Sequence, residues 1–247
     1  MVTSDQRRRQ LARDKYARQQ QRRAETQRKA KRRNTVIAGS LAVVLAAGGA
    51  VYASVQLLGD DAKNTDTGGE PKMSIAAEGT YDLALTTNEG DITVTMDAAK
   101  TPRTVNSFKH LADKKYFDGT KCHRLTTAGI FVLQCGDPEG TGMGGPGYTI
   151  PDENLDSLGK PGADGKVTYK AGTVAMANTG QPGTGGSQFF LVYKDSPLPP
   201  QYTPFGTMDA AGLAAVQKVG AAGADGGQGD GAPKKPVTVE KATVTEK

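Results

Sequence analysis

Two short runs hold the side chains with the most chemical reach: Cys122-His123-Arg124 followed by Phe131-Val132-Leu133-Gln134, and Met176-Ala177-Asn178 followed by Ser187-Gln188-Phe189-Phe190. They supply a guanidinium, side-chain amides and aromatic rings, with no evident nucleophile beside them. Amides match peptide groups, rings match apolar side chains, and a planar cation serves where an acceptor strengthens. This is equipment for gripping an uncharged backbone. His110 and His123 are the only histidines and the two cysteines lack ligand spacing, so no metal site and no cofactor is expected. Gly186-Ser187-Gln188 lacks the strained elbow of a serine hydrolase. The glycines from Gly140 to Gly147 lack the Gly-Lys-Ser/Thr of a phosphate loop, and Pro146 removes an amide donor there.

The elements that must position these groups are mostly strands. Tyr81 to Leu85 and Ile92 to Met96 alternate with period two around Asn88-Glu89-Gly90-Asp91, which reads as a hairpin. Thr101-Pro102 predicts a helix start with Thr101 as N-cap, and Val105, Phe108 and Leu111 or Ala112 share one face. A second helix is predicted over Asp209 to Val219, burying Leu213 and Val216, and a last strand over Val237 to Val244. Gly220 to Pro236, rich in Gly, Ala and Asp, reads as a mobile loop. Many strands with two isolated helices predict a mainly β fold, an antiparallel barrel closed to remove its edges.

Before this domain the composition changes twice. Residues 1–35 carry 13 Lys/Arg against Asp5, Asp14 and Glu25, so the basic charge belongs to an arm and not to the globular part. Nucleic acid is not expected as a partner. Residues 36–58 are an uncharged stretch of 23 residues, long enough at about 34 Å to span a bilayer core of about 30 Å. Its length favours an uncleaved transmembrane signal anchor over a cleaved signal peptide. The arm would then stay cytoplasmic and the rest would lie outside a single-pass cell membrane protein. Residues 59–78 read as a flexible linker and 79–247 as one domain.

The ordered motifs resemble the cyclophilin family of peptidyl-prolyl cis-trans isomerases. They are Pro102 with Thr104-Val105-Asn106-Ser107-Phe108, Tyr116-Phe117-Asp118-Gly119, His123-Arg124, Phe131-Val132-Leu133-Gln134 with Gly136-Asp137, Gly140 to Gly145, Met176-Ala177-Asn178, Gly186 to Phe190 and Pro204-Phe205-Gly206. The likeness covers about Thr80 to Val244. It implies a closed, eight-stranded cyclophilin-like barrel capped by two helices, in a membrane-anchored bacterial form. It also implies isomerisation of X-Pro bonds in exported or cell-surface proteins, assisting their folding. The alternative is a non-catalytic, membrane-tethered module that binds proline peptides as a chaperone.

Carried over residue by residue, the resemblance makes Arg124 the catalytic group. It assigns substrate contact to His123, Phe131, Val132, Gln134, Gly142, Ala177, Asn178, Gln188, Phe190, Leu198 and Tyr202. Phe190 is selected for the site and Phe189 for the core, because neighbours on a strand face opposite ways. Strand pairing as in the family would bring Cys122 and Cys135 together as a candidate disulfide. Some features depart from the family's pattern. Phe131 follows Arg124 by seven residues, two more than usual, and the loop from Asn178 to Gln188 is one residue longer. Tyr202 stands where many members have histidine, and the chain has no tryptophan, with Pro197 near that position. Activity is expected to persist, and a cyclosporin-type ligand is expected to bind with reduced affinity.

Overall fold

Burial alternates along the first hairpin in the computed structural model, which describes residues 69–247. In β1 (Thr80–Thr87), Tyr81, Leu83 and Leu85 point inward, and in β2 (Ile92–Asp97), Ile92, Val94 and Met96 do the same. The two pair antiparallel with Leu83 opposite Val94. Ten strands make the main sheet, the others being β3 (Thr120–Lys121), β4 (Arg124–Thr126), β5 (Val132–Cys135), β7 (Thr173–Met176), β8 (Phe189–Val192), β10 (Pro204–Met208), β11 (Asp230–Gly231) and β12 (Thr238–Glu246). Their order is β11-β4-β5-β8-β7-β10-β2-β1-β12-β3. A separate ribbon pairs β6 (Val167–Tyr169) with β9 (Ser196–Leu198).

Helix α1 (Pro102–Asp113) buries Val105, Phe108, Leu111 and Ala112 and lies against β12 and β2. Helix α2 (Ala210–Ala222) buries Val216 and Val219, with Leu213 partly buried, and lies against β2 and β5. Asp209 caps α2 by accepting from the Gly212 amide at 2.9 Å. Thr101 takes the predicted N-cap position of α1 ahead of Pro102, but its side chain makes no capping bond. The Thr101 hydroxyl turns back to donate to the Asp97 carbonyl at 3.0 Å. The α1 N-terminus is served instead by Glu153, which accepts from the amides of Arg103 at 3.1 Å and Thr104 at 2.9 Å. A carboxylate suits the positive end of the helix dipole better than a hydroxyl does. Phe108 centres the core, with its ring 5.4 Å from Phe117, 5.5 Å from Phe189 and 4.7 Å from Phe205.

Residues ahead of β1 also dock on α1. The buried Asn106 amide accepts from the Ser74 amide at 2.8 Å and donates to the carbonyls of Pro71 and Lys72, both at 3.1 Å.

The expected closed eight-stranded barrel is corrected to an open, curved ten-stranded antiparallel sheet with two helices. The physical reason lies at Cys122 and His123. They carry the chain from β3, one edge of the sheet, to β4, one strand in from the other edge; the Cys122 amide still donates to the Val237 carbonyl at 2.9 Å, and the pairing breaks at His123. The edges are left as two-residue strands, too short to template another chain. The segment expected to span a membrane, 36–58, lies outside the described residues. Among the described residues no helix is long and apolar enough to cross a membrane. The longer helix has 13 residues, about 20 Å against a core of about 30 Å. The transmembrane signal anchor, the single-pass cell-membrane location with a cytoplasmic N-terminus, and the membrane as a partner therefore find no support and are set aside.

Candidate active site

The site is built on one face of β5 and β8. These strands pair Val132 with Val192, Gln134 with Phe190 and Cys135 with Phe189. The pleat sends Val132, Gln134, Phe190 and Val192 to one side and Leu133, Cys135, Phe189 and Leu191 to the other. Val132, Phe190 and Val192 join Tyr169, Ala175 and Leu198 in a small apolar cluster, with Ala177 and Tyr202 packed on it. The Tyr202 ring meets Phe190 edge-on at 5.4 Å. The β6-β9 ribbon supplies the outer wall, because Leu198 pairs with Val167 there.

Arg124 stands on β4 directly across the ladder from Gln134. Its Nη1 approaches Gln134 Oε1 at 3.4 Å, while Nε and Nη2 donate to the Asp230 carboxylate at 2.8 and 2.7 Å. The Asp230 pair raises the guanidinium pKa, so the group is a permanent cation. Gln134 Nε2 donates to Gln188 Oε1 at 2.8 Å, and Gln188 Nε2 donates to the Gly144 carbonyl at 2.9 Å. This relay fixes which end of the Gln134 amide faces the cation.

Beside the apolar cluster opens a cavity of about 630 Å³ whose lining includes Gln134, Gly142, Met143, Ala177, Asn178 and Gln188. Gln134 is thus shared between the cavity and the Arg124 relay. The cavity's glycine-rich rim is organised by Asp137, which is buried. Its carboxylate accepts from the amides of Glu139, Thr141, Gly142 and Gly144 at 2.6 to 3.1 Å. Burial alone would raise this carboxyl; the converging amides overcome it and hold the group down at about 2. Asn178 donates from Nδ2 to the Gln201 carbonyl at 2.7 Å and accepts from the Gly180 amide at 3.0 Å, so its side chain also shapes the turn after β7. His123 lies under Gly142, with both ring nitrogens buried and unpaired; burial lowers its pKa. Cys122 and Cys135 are joined in a disulfide, which ties the β3-β4 connection to the end of β5.

The structure links Arg124 to Gln134 and, through it, to Gln188, and gathers Val132, Phe190, Leu198, Ala177 and Tyr202 in the apolar cluster on the Gln134 face, with Gly142 and Asn178 lining the cavity and His123 under Gly142. Phe131 is placed differently. It precedes β5 with the opposite orientation to Val132, packs on the main core, meets Tyr193 edge-on at 6.0 Å and lies beneath the Lys194 ammonium at 4.5 Å. Asp230 was hidden from sequence reasoning by its glycine-rich surroundings. Tyr169 was also missed; its hydroxyl donates to the Tyr202 carbonyl at 2.9 Å and supports that ring's backbone. The signal for Tyr169 was the alternation Val167-Thr168-Tyr169, with its outer members inward.

Residues 82–244 match the family described as cyclophilin type peptidyl-prolyl cis-trans isomerase/CLD. A "Probable peptidyl-prolyl cis-trans isomerase B" of Mycobacterium tuberculosis is 49% identical over 161 residues, 64% of this chain and 52% of that protein. One from Mycobacterium leprae is 48% identical over 170 residues, 65% of this chain and 56% of that protein. The chain spans about half the length of these curated relatives. A crystal structure of a Cryptosporidium parvum cyclophilin type peptidyl-prolyl cis-trans isomerase matches with a TM-score of 0.55 at 25% identity, covering 68% of this chain and 99% of that one. Its structure in the presence of the dipeptide Ala-Pro matches with a TM-score of 0.54. Nothing in these likenesses supports a membrane-anchored form. With the match running from β1 to the last strand and the site lying inside it, the chain belongs to the cyclophilin-type peptidyl-prolyl cis-trans isomerase family.

Proposed function

We propose that the domain catalyses cis-trans isomerisation of X-Pro peptide bonds without a covalent intermediate. Rotation about such a bond breaks amide resonance against a barrier of about 18 to 20 kcal/mol, so the unaided step takes tens to hundreds of seconds. A catalyst must bind the twisted amide better than either planar form. Even a gain of about 10⁵-fold needs only about 7 kcal/mol of such preference. In the twisted state the prolyl nitrogen loses conjugation and becomes a better acceptor, so a fixed guanidinium donates to it more strongly.

The carrying observation is the placement of Arg124 Nη1 beside Gln134 at the edge of the apolar cluster. In this reading Val132, Phe190, Leu198 and Tyr202 hold the proline ring. Gln134 and the Asn178 backbone hold the peptide, Gln188 orders Gln134, and Ala177, His123 and Gly142 shape the adjoining groove. The relative's Ala-Pro dipeptide accords with this ligand chemistry. The Cys122–Cys135 disulfide supports client proteins in an oxidising compartment, as exported proteins are. Tyr202 and Pro197, where the family pattern differs, should weaken a cyclosporin-type ligand.

The test is exchange spectroscopy on a proline tetrapeptide with the full chain. Arg124→Ala should fold normally, still bind the peptide, and lose about 10²- to 10³-fold in turnover. Wild-type turnover by that variant would reject the catalytic assignment. Peptide binding by a wild-type chain that never turns over would select the non-catalytic binding module instead.

A further inference from the structure

We infer that Asp230 is a positioning residue for isomerisation, holding the Arg124 guanidinium side-on so that Nη1 faces the substrate groove. The inference rests on the reading of Arg124 given under the proposed function. Asp230 engages Nε and Nη2 together, at 2.8 and 2.7 Å. That bidentate grip uses one edge of the planar cation and fixes both its rotation and its tilt. The edge left over is Nη1, the one that approaches Gln134 Oε1 at 3.4 Å. Gln134 in turn lines the cavity, so Nη1, which keeps a second N–H besides the one aimed at Gln134, is turned toward the place where a peptide would lie.

The segment that presents Asp230 is closely built. Read as a mobile loop in the sequence, it forms β11, which pairs Asp230 with Thr126 and Gly231 with Leu125 of β4, the strand that carries Arg124. The Thr127 amide donates to the Gly229 carbonyl at 2.7 Å, and the Asp225 amide to the Ala232 carbonyl at 2.7 Å. A Cβ on Gly226 would sit 1.6 Å from the Asp230 carbonyl oxygen, and one on Gly229, whose φ is +77°, would sit 2.5 Å from Thr127 Oγ1. Both positions therefore require glycine, and what they allow is the close return of the chain that brings Asp230 to Arg124.

Stability does not account for the pair. The Arg124 and Asp230 side chains keep 40% and 50% of their exposure, and an ion pair that open to water contributes little to folding. Orientation is different. A flexible arginine that samples many rotamers presents its donor to a transition state only part of the time, whereas a clamped one does so always. The same clamp keeps the cation from swinging onto the peptide's carbonyl oxygens, where it would stabilise the planar ground states equally well.

The test compares Asp230→Ala, Asp230→Asn and Asp230→Glu in the full chain with wild type and Arg124→Ala, by exchange spectroscopy on a proline tetrapeptide. Asp230→Ala should lower kcat about 10- to 100-fold with KM within about twofold, and its melting temperature should stay near wild type. Asp230→Asn, which keeps the shape and loses the charge, should fall between Asp230→Ala and wild type, and Asp230→Glu should recover part of the loss. In the Arg124→Ala background, Asp230→Ala should do nothing further, because there is no guanidinium left to aim. The Arg124 Nε–H resonance should be sharp in wild type and broadened or lost in Asp230→Asn. Wild-type kcat in Asp230→Ala, with Arg124→Ala crippled, would overturn the inference and leave the reading of Arg124 intact. An equal loss from Asp230→Ala in both backgrounds would overturn it too, since the effect would then not pass through Arg124. Full turnover by Arg124→Ala itself would remove the reading beneath it.

Discussion

The two faces of β5 and β8 are made from alternate residues of the same eight positions, yet they do opposite work. On one face Leu133, Cys135, Phe189 and Leu191 are buried in the main core, where Phe189 meets Phe108 at 5.5 Å and Phe117 at 6.1 Å. On the other, Val132, Phe190 and Val192 join a smaller cluster whose outer members, Tyr202 and Ala177, are only partly buried, and the strand places the polar Gln134 among them. The first face is closed by aromatic packing and the second is left open at one side. A sheet with one completed face can hold an incomplete one rigidly, and an incomplete apolar face is what a proline ring can fill. The precision of the site is thus borrowed from the core behind it, at a distance of one strand thickness.

Adjacent substitutions should separate these roles. Phe189→Ala should cost about 3 to 5 kcal/mol, as expected for a buried aromatic whose cavity cannot refill. The urea midpoint of the full chain should fall accordingly while KM for a proline peptide, measured well below that midpoint, stays near wild type. Phe190→Ala should cost about half as much stability, since its space opens on the groove and admits water, and should raise KM. Equal effects of the two variants on both quantities would erase the distinction between the faces.

The next largest effect concerns how the site's strands are fastened. The Cys122–Cys135 bond encloses the β4-β5 turn with a separation of 13 residues. A loop of that size should contribute about 3 kcal/mol through the unfolded chain. Cys122→Ser with Cys135→Ser should therefore lower stability by about that amount, read as a difference in urea midpoint from the oxidised wild type. Because Arg124 and Gln134 sit just inside the bond, turnover should fall as well, by less than in Arg124→Ala. An unchanged midpoint under reducing and oxidising conditions would show that the bond is not formed in solution.

How much of this was legible in the chain itself depends on distance along it. The first hairpin, the apolar faces of both helices and the split between Phe189 and Phe190 all follow from periods of two or 3.6 residues, and they needed no partner to be seen. The same period-two argument applied to Phe131 and Val132 would have placed them on opposite sides; the family pattern put both in the slot, and the structure packs Phe131 against Tyr193. Thr101 and Pro102 were placed at the start of α1 as the structure has them, but the acceptor for its first amides was missed because Glu153 comes from about fifty residues away. Closure was misjudged because it depends on the break in pairing at His123, between β3 and β4, and nothing in that residue's type announces it. Asp230 was invisible for a related reason. Glycines on both sides of it suggest freedom when read locally, and only the pairing of β11 with β4 shows that they permit tight packing.

The smallest effect tests the groove's rim against its floor, through pH. Where the floor is held by strand pairing, the rim from Gly140 to Gly144 hangs largely on one carboxylate, Asp137, with four backbone amides converging on it. Its folded pKa, about 2, lies below the ordinary value of 3.8, so the native state prefers the ionised form more than the unfolded chain does. The sign follows from linkage. The contribution is fully present above the unfolded value near 4 and is lost as pH falls through about 2. Asp137→Asn removes the charge and one acceptor oxygen, and should lower stability at pH 7 by about 2 kcal/mol. The gap between variant and wild type, followed by urea unfolding, should hold from pH 7 to about 4 and then narrow as the wild-type carboxyl takes up its proton. A gap that stayed constant down to pH 2 would mean that the carboxylate's charge contributes nothing there, and that the rim is held by the shape of its backbone alone.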